Sequence, residues 1–190
     1  EEIGLRTWGL VRDPARMTTL KERVTTNTQQ ICRIDYETPT DVVGEVETRV
    51  LRKVQDLSAD HGAVILQDYG KGLLHPALCQ KLIGSFKSQS RLVAVDPYRT
   101  RHAGQYKGAT LMKPNLSEAR TLAAGLGYRE TDPKKIAVLL SEQLDLQMLA
   151  ITLGGEGLCI LDRKVNNAPV VVPTINSEVF DVSGAGDTAL

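Results

Sequence analysis

Close to the end of the 190-residue chain stand Gly184, Gly186 and Asp187, within the run Asp-Val-Ser-Gly-Ala-Gly-Asp that begins at Asp181. Two glycines two apart let the backbone turn sharply and aim consecutive N–H groups at an anion at the start of a helix, where the partial positive charge favours it. A carboxylate on the first turn beside that anion can take a proton from an attacking hydroxyl, while the N–H groups hold charge building on a transferred phosphoryl group. Taken alone, the same residues equally describe a tight strand-to-helix turn with Asp187 as an ordinary first-turn acid.

Other loops carry comparable groups. Asn115 and Glu118, in Lys-Pro-Asn-Leu-Ser-Glu, follow an apolar run and would share one face at the first turn of a helix. An amide and a carboxylate so placed could organise water around Mg²⁺ and contact nucleotide phosphate. A capping pattern, with Asn115 as N-cap and Glu118 as its N3 partner, reads equally well. Thr152, Gly154 and Gly157 end another apolar run in a loop that backbone could use to approach a ligand, or that could be a hairpin turn. Asp68 and Lys71, in Asp-Tyr-Gly-Lys-Gly, could meet substrate or phosphate, or belong to a strand-end loop held by its own polar side chains.

These loops need elements to position them. Residues 17–37 are rich in Thr, Val and Ile and predict two paired strands joined near Asn27. The three-to-four spacing of Val42, Val46, Val50, Leu51, Val54 and Leu57 predicts an amphipathic helix capped by Thr40. Residues 63–66 form an apolar run without alternation, as in a strand buried on both faces. After it come helix 76–87, strands 91–97 and 109–115, helices 116–125 and 133–144, and a strand entering the glycine loop at Thr152. Runs 157–162 and 168–174 look like strands of a hairpin. This alternation predicts an α/β fold with a doubly wound, mostly parallel sheet and flanking helices, plus a small β segment near the N-terminus. Ligands of such sheets sit outside the carboxyl ends of the strands, so the loops 68–72, 96–98, 113–118, 152–157 and 181–187 should converge on one crevice.

Composition limits the partners. With 23 basic and 23 acidic residues the chain has no field of either sign, which argues against nucleic acid or an anionic membrane as its main partner. Cys32, Cys79 and Cys159 lie far apart in apolar or strand-like contexts and read as reduced thiols in a core. Neither an export signal nor a spanning segment is legible, so a cytoplasmic location is expected. His61, His75 and His102 lack metal-ligand spacing and receive no role.

In their order along the chain, the segments around Asn115, Thr152 and Asp187 resemble the ribokinase-like (PfkB) family of carbohydrate kinases, and the last block is similar to that family's second signature. Within the family, residues 23–37, 66–74 and 95–118 look most like the branch that phosphorylates heptose phosphates. The resemblance implies ATP-dependent phosphorylation of a sugar or sugar phosphate, most specifically D-glycero-D-manno-heptose 7-phosphate at its 1-position, in lipopolysaccharide core synthesis. Asp187 matches the family's catalytic base, and Ser183, Gly184, Ala185 and Gly186 match its anion hole. Asn115, Leu116, Ser117 and Glu118 match the segment associated with ATP phosphate and Mg²⁺, with Asn115 and Glu118 reaching the metal through water. Thr152, Gly154 and Gly157 match a nucleotide loop, and Asp181 and Ser183 match positions that in some relatives help hold K⁺.

Lys21, Arg23, Asn27, Gln29 and Gln30 fall where heptose kinases approach the sugar phosphate. Two basic side chains two apart on a strand suit a phosphomonoester, though they equally suit surface salt bridges. The resemblance divides residues 1–190 into a lid segment, 17–37, and an α/β core, 40–190. It also admits a homodimer through the lid and a fused adenylyltransferase domain. The family's N-terminal sugar-binding part and closing C-terminal helices have no counterpart here, so the chain is expected to be an internal fragment. Two departures stand out: Tyr98 where heptose kinases usually carry lysine, and Ser183 for the commoner threonine. A silent nucleotide- or sugar-phosphate-binding module, or a kinase for another sugar, remain open on the same residues.

Overall fold

A computed structural model describes residues 7–26, 29–99 and 102–174. It divides into two compact units: one runs to Asp60 and takes in Lys71–Leu73, and the second comprises His61–Gly70 and the chain from Leu74 onward.

The first unit holds strands β1 (Leu20–Thr25) and β2 (Gln30–Tyr36), paired antiparallel as the Thr- and Ile-rich sequence predicts. Their turn is closed by the Thr26 N–H, which donates to the Gln29 carbonyl at 2.7 Å, and by the Gln29 N–H, which donates to Thr26 Oγ1 at 3.0 Å. Cys32 lies exposed on β2 and is not a core thiol. Helix α1 (Glu45–Ser58) follows. It begins at Glu45 and not at the expected Thr40, and no side chain caps it. The cause is local: Gly44 takes a positive φ of 71°, and before it the Val42 N–H is donated to the Gly72 carbonyl at 2.8 Å. Gly72 is itself required, because at φ 79° a Cβ would lie 2.0 Å from the Thr40 carbonyl oxygen.

The second unit is a six-stranded sheet whose order across the sheet follows the chain: β3 (Ala63–Gln67), β4 (Leu92–Asp96), β5 (Leu111–Met112), β6 (Met148–Thr152), β7 (Leu158–Asp162) and β8 (Asn166–Val172). Strands β3 to β6 run parallel; β7 and β8 form the expected hairpin, each antiparallel to the strand before it. The α/β, mostly parallel architecture is the one the sequence predicts. Helix α2 (Pro76–Ser88) connects β3 to β4, and helices α3 (Leu116–Gly125) and α4 (Pro133–Gln143) connect β5 to β6.

Register lines up Leu66, Val95, Met112, Leu149 and Leu161 across neighbouring strands, and all are buried. Alternate positions are more open: Ile65 is 56% and Leu92 57% exposed. The apolar run of β3 is therefore buried on one face only among the described residues. Right-handed crossovers that always step in one direction put their helices on the same side, and the order of the described strands never reverses. The sequence reading also missed a 3₁₀ turn, Ala103–Tyr106, between β4 and β5, which carries the fully buried Tyr106.

Candidate active site

At the carboxyl ends of β4 and β5 the parallel register sets Val95 beside Met112, so the next residues, Asp96 and Lys113, meet across the strands. Lys113 Nζ lies 3.1 Å from Asp96 Oδ1 in an ion pair almost shut off from water, Lys113 being only 4% exposed. Asp96 also receives the Asp68 N–H on its main-chain carbonyl at 2.9 Å, tying the end of β3 to the end of β4.

One turn beyond Lys113, α3 opens on a reciprocal capping box. The Asn115 side-chain oxygen accepts the Glu118 N–H at 2.9 Å, and Glu118 Oε2 accepts the Asn115 N–H at 2.8 Å. The capping pattern is thus realised, each side chain engaging the other residue's backbone N–H. Burial, more than anything else, raises the Glu118 carboxyl above its ordinary value, and Asp96 adds to the rise; the Asn115 N–H and the Lys113 charge oppose it. Within the box, Leu116 begins the helix and Ser117 borders a cavity of about 520 Å³ shared with Arg99, Arg120 and Thr121.

The loop after β6 reaches the same place. Asn115 and Thr152 form a parallel bridge, and the Thr152 N–H donates to the Pro114 carbonyl at 3.0 Å. Residues 153–157 form a tight hairpin turn: the Leu153 N–H donates to the Gly157 carbonyl at 2.8 Å, and β6 pairs with β7 from Thr152 opposite Leu158. Gly154 and Gly157 both need positive φ, 62° and 101°. At Gly157 a Cβ would also stand 2.0 Å from the Val172 carbonyl oxygen, so this glycine serves the hairpin itself. The structure sets Asn115 beside both Glu118 and Thr152.

Asp68 behaves differently. Its Oδ1 accepts the Gly70 N–H at 2.8 Å, while Oδ2 accepts the Tyr106 hydroxyl at 2.8 Å and the Gln105 side-chain amide at 3.3 Å. Of the two readings of this loop, the one in which polar side chains hold it together is the one observed for Asp68. Burial first, and then the Asp68 charge, keep the Tyr106 phenol protonated far above its usual range. The same causes push the buried Cys79 thiol up to about 12, so it is an inert core group.

In the first unit, Lys71 is ion-paired with Glu37. Lys21 Nζ lies 2.9 Å from Asp35 Oδ2, and Arg33 grips the same carboxylate at 2.8 and 3.0 Å. These bonds, Lys21 first, hold the Asp35 carboxyl below its ordinary value. Arg23 stands directly opposite Arg33 and has no ion-pair partner among the described residues. Gln29 closes the turn and Gln30 pairs with Thr25. Asn27, Asp181, Ser183, Gly184, Ala185, Gly186 and Asp187 lie outside the described residues.

Sequence reasoning placed Asp96 and Lys113 in loops of the crevice but gave their side chains no role, and it did not single out Tyr106. Their roles depend on which parallel strands are neighbours and in what register, and no local pattern encodes that. Among the described residues no cluster of His, Cys, Asp and Glu could hold a metal ion by itself. Nor is any described helix long and apolar enough to cross a membrane.

A buried charge pair, a capped helix start and a glycine turn gathered at the carboxyl edge of a mostly parallel sheet are the parts of a phosphate-handling α/β protein. Residues 9–190 match the model of the pfkB family of carbohydrate kinases, and the chain belongs to that family. Over its whole length it is 36% identical to the bifunctional protein HldE of Wolinella succinogenes and 36% identical to that of Helicobacter hepaticus. It spans 39% of the length of each of these relatives. The fold is also that of ribokinase from Giardia lamblia (TM-score 0.66, 16% identity, 90% of this chain and 53% of that one). The Arabidopsis thaliana ribokinase solved with ribose and ATP is similar as well (TM-score 0.57, 16% identity, 83% and 49%).

Proposed function

We propose that this chain is the phosphoryl-transfer part of an ATP-dependent kinase of D-glycero-D-manno-heptose 7-phosphate, acting at the 1-hydroxyl in the cytoplasm, on the route to lipopolysaccharide core sugars. The observation that carries the reading is the meeting of the Asn115 turn with the Thr152 loop, in a chain 36% identical throughout to HldE proteins. In this reading Asp187 takes the proton from the attacking hydroxyl, and the N–H groups of Ser183, Gly184, Ala185 and Gly186 receive the charge on the phosphoryl oxygens. Asn115 and Glu118, fixed by their mutual cap, offer an amide and a carboxylate to the nucleotide end. That donor set fits a Mg²⁺ held mainly through water and phosphate, and the ion, when bound, neutralises phosphate charge. Thr152, Gly154 and Gly157 line the nucleotide, Asp181 and Ser183 hold K⁺, and the lid of residues 17–37 supplies Lys21, Arg23, Asn27, Gln29 and Gln30 to the sugar phosphate and pairs with a second copy. Asp68 and Lys71 shape the acceptor loop. A fused adenylyltransferase domain in the whole protein completes the proposal.

The test is kinetic. In the full protein, Asp187→Asn is expected to keep ATP affinity while turnover of heptose 7-phosphate falls by roughly 10² to 10⁴. Wild-type turnover in that variant removes Asp187 from the chemistry, and a panel in which another sugar is preferred reassigns the acceptor.

A further inference from the structure

Tyr98 follows β4 at the carboxyl edge of the sheet and is 45% exposed. Such exposure usually means a loosely held ring, yet this one is fixed from beneath. A Cβ on Gly70 would fall 2.5 Å from Tyr98 Cδ1 and Cε1 and 2.6 Å from Cζ, so the ring lies directly against the Gly70 backbone. Gly70 is held in turn at φ 65° by donating its N–H to Asp68 Oδ1 at 2.8 Å. The backbone of Tyr98 is fixed through the same carboxylate: its N–H donates to the Tyr106 hydroxyl at 3.2 Å, and that hydroxyl donates to Asp68 Oδ2 at 2.8 Å. The loops after β3 and β4 are therefore closed into one circuit, with an aromatic ring presented at its top.

What that circuit can offer a ligand follows by subtraction. Both Asp68 oxygens are engaged within the circuit, and Asp96 is paired with Lys113. On the other half of the edge Asn115 and Glu118 are tied to each other by the capping box. A preorganised aromatic ring beside carboxylates engaged by protein groups suits a ligand with an apolar face and surrounding hydroxyls, which describes one side of a carbohydrate ring.

We infer that Tyr98 is a specificity-determining residue of the acceptor side, receiving the C–H face of the sugar ring, and that Tyr106 is the residue that positions it. The inference rests on the kinase reading above and specifies which part of the acceptor the β3–β4 half of the edge recognises.

Initial rates of the full protein, with acceptor and ATP varied separately, test it. Tyr98→Leu fills the space over Gly70 without an aromatic face and is expected to raise the acceptor KM about tenfold while the ATP KM stays within about twofold. Tyr98→Phe, which keeps the ring face, brings the acceptor KM back towards the wild-type value. An acceptor KM unchanged in Tyr98→Leu, or an equal rise in the ATP KM, overturns the inference while leaving the kinase intact. A wild-type protein that phosphorylates no sugar at all removes the kinase reading and this inference with it.

Discussion

The two halves of the sheet's carboxyl edge use similar polar residues to opposite ends. At β3 and β4 the acid is saturated: Asp68 receives Gly70, Tyr106 and Gln105, and what it does is hold two loops together. At β5 and β6 the amide and acid of the capping box each engage one backbone N–H. A side chain whose every atom is satisfied by its neighbours is a fastener. One that is anchored by a single atom is both held and available, which is what a ligand needs from a preorganised group. The difference gives Asp68 scaffold work.

The Lys113–Asp96 pair joins the halves, and breaking it should produce the largest effect. Lys113→Met deprives Asp96, whose side chain is only 15% exposed, of its lysine partner. Removing one partner of a buried pair costs about 3 kcal/mol or more, while neutralising the survivor recovers part of that. Denaturant titration should therefore find Lys113→Met strongly destabilised and Lys113→Met/Asp96→Asn more stable than the single variant. A single variant within about 1 kcal/mol of wild type would mean that the halves are not coupled through this pair.

Tyr106→Phe tests the fastener. The substitution keeps the buried ring and deletes one hydroxyl that both donates to Asp68 and accepts from the Tyr98 N–H. Losing a hydrogen bond to a charged acceptor costs about 2 kcal/mol, less than orphaning a charge. Gln105 remains to Asp68, so the loop should loosen without unfolding, and amide exchange at Gly70 and Tyr98 should accelerate relative to Asn115 and Glu118. Equal acceleration in both halves would erase the distinction.

Much of this was legible in the chain. Helices α2, α3 and α4 stand where the apolar spacing put them, because each carries its own start signal: His75 and Pro76, Asn115, Asp132 and Pro133. The capping box was readable because its two members are three residues apart. What sequence did not disclose depends on partners remote along the chain. Helix α1 starts later than the spacing predicts because the Val42 N–H is taken by the Gly72 carbonyl, and the one-sided burial of β3 follows from a strand order that composition does not encode. Tyr106 was passed over because a short 3₁₀ turn has no long period to detect, and its importance arises from Asp68, which is distant in sequence.

The smallest effect expected is also the most diagnostic, because opposing influences meet at Glu118. Burial raises its carboxyl above its ordinary value of about 4.5, whereas the Asn115 N–H pulls it down. With the net shift upward, the folded protein binds the proton more readily than the unfolded chain does. Stability therefore falls as pH rises from about 4.5 through the higher folded value, and it is regained on acidification. Glu118→Gln keeps an oxygen to accept the Asn115 N–H but removes the titration. Its stability measured against pH should be flatter than that of wild type, with the variant gaining on wild type as pH rises. Mg²⁺-dependent nucleotide affinity should move the other way, strengthening with pH in wild type and staying weak in the variant. If wild type instead gains on Glu118→Gln as pH rises, the hydrogen bond outweighs burial. Glu118 would then be held mainly as a cap, and the β5–β6 half would resemble the fastened half more than the free one.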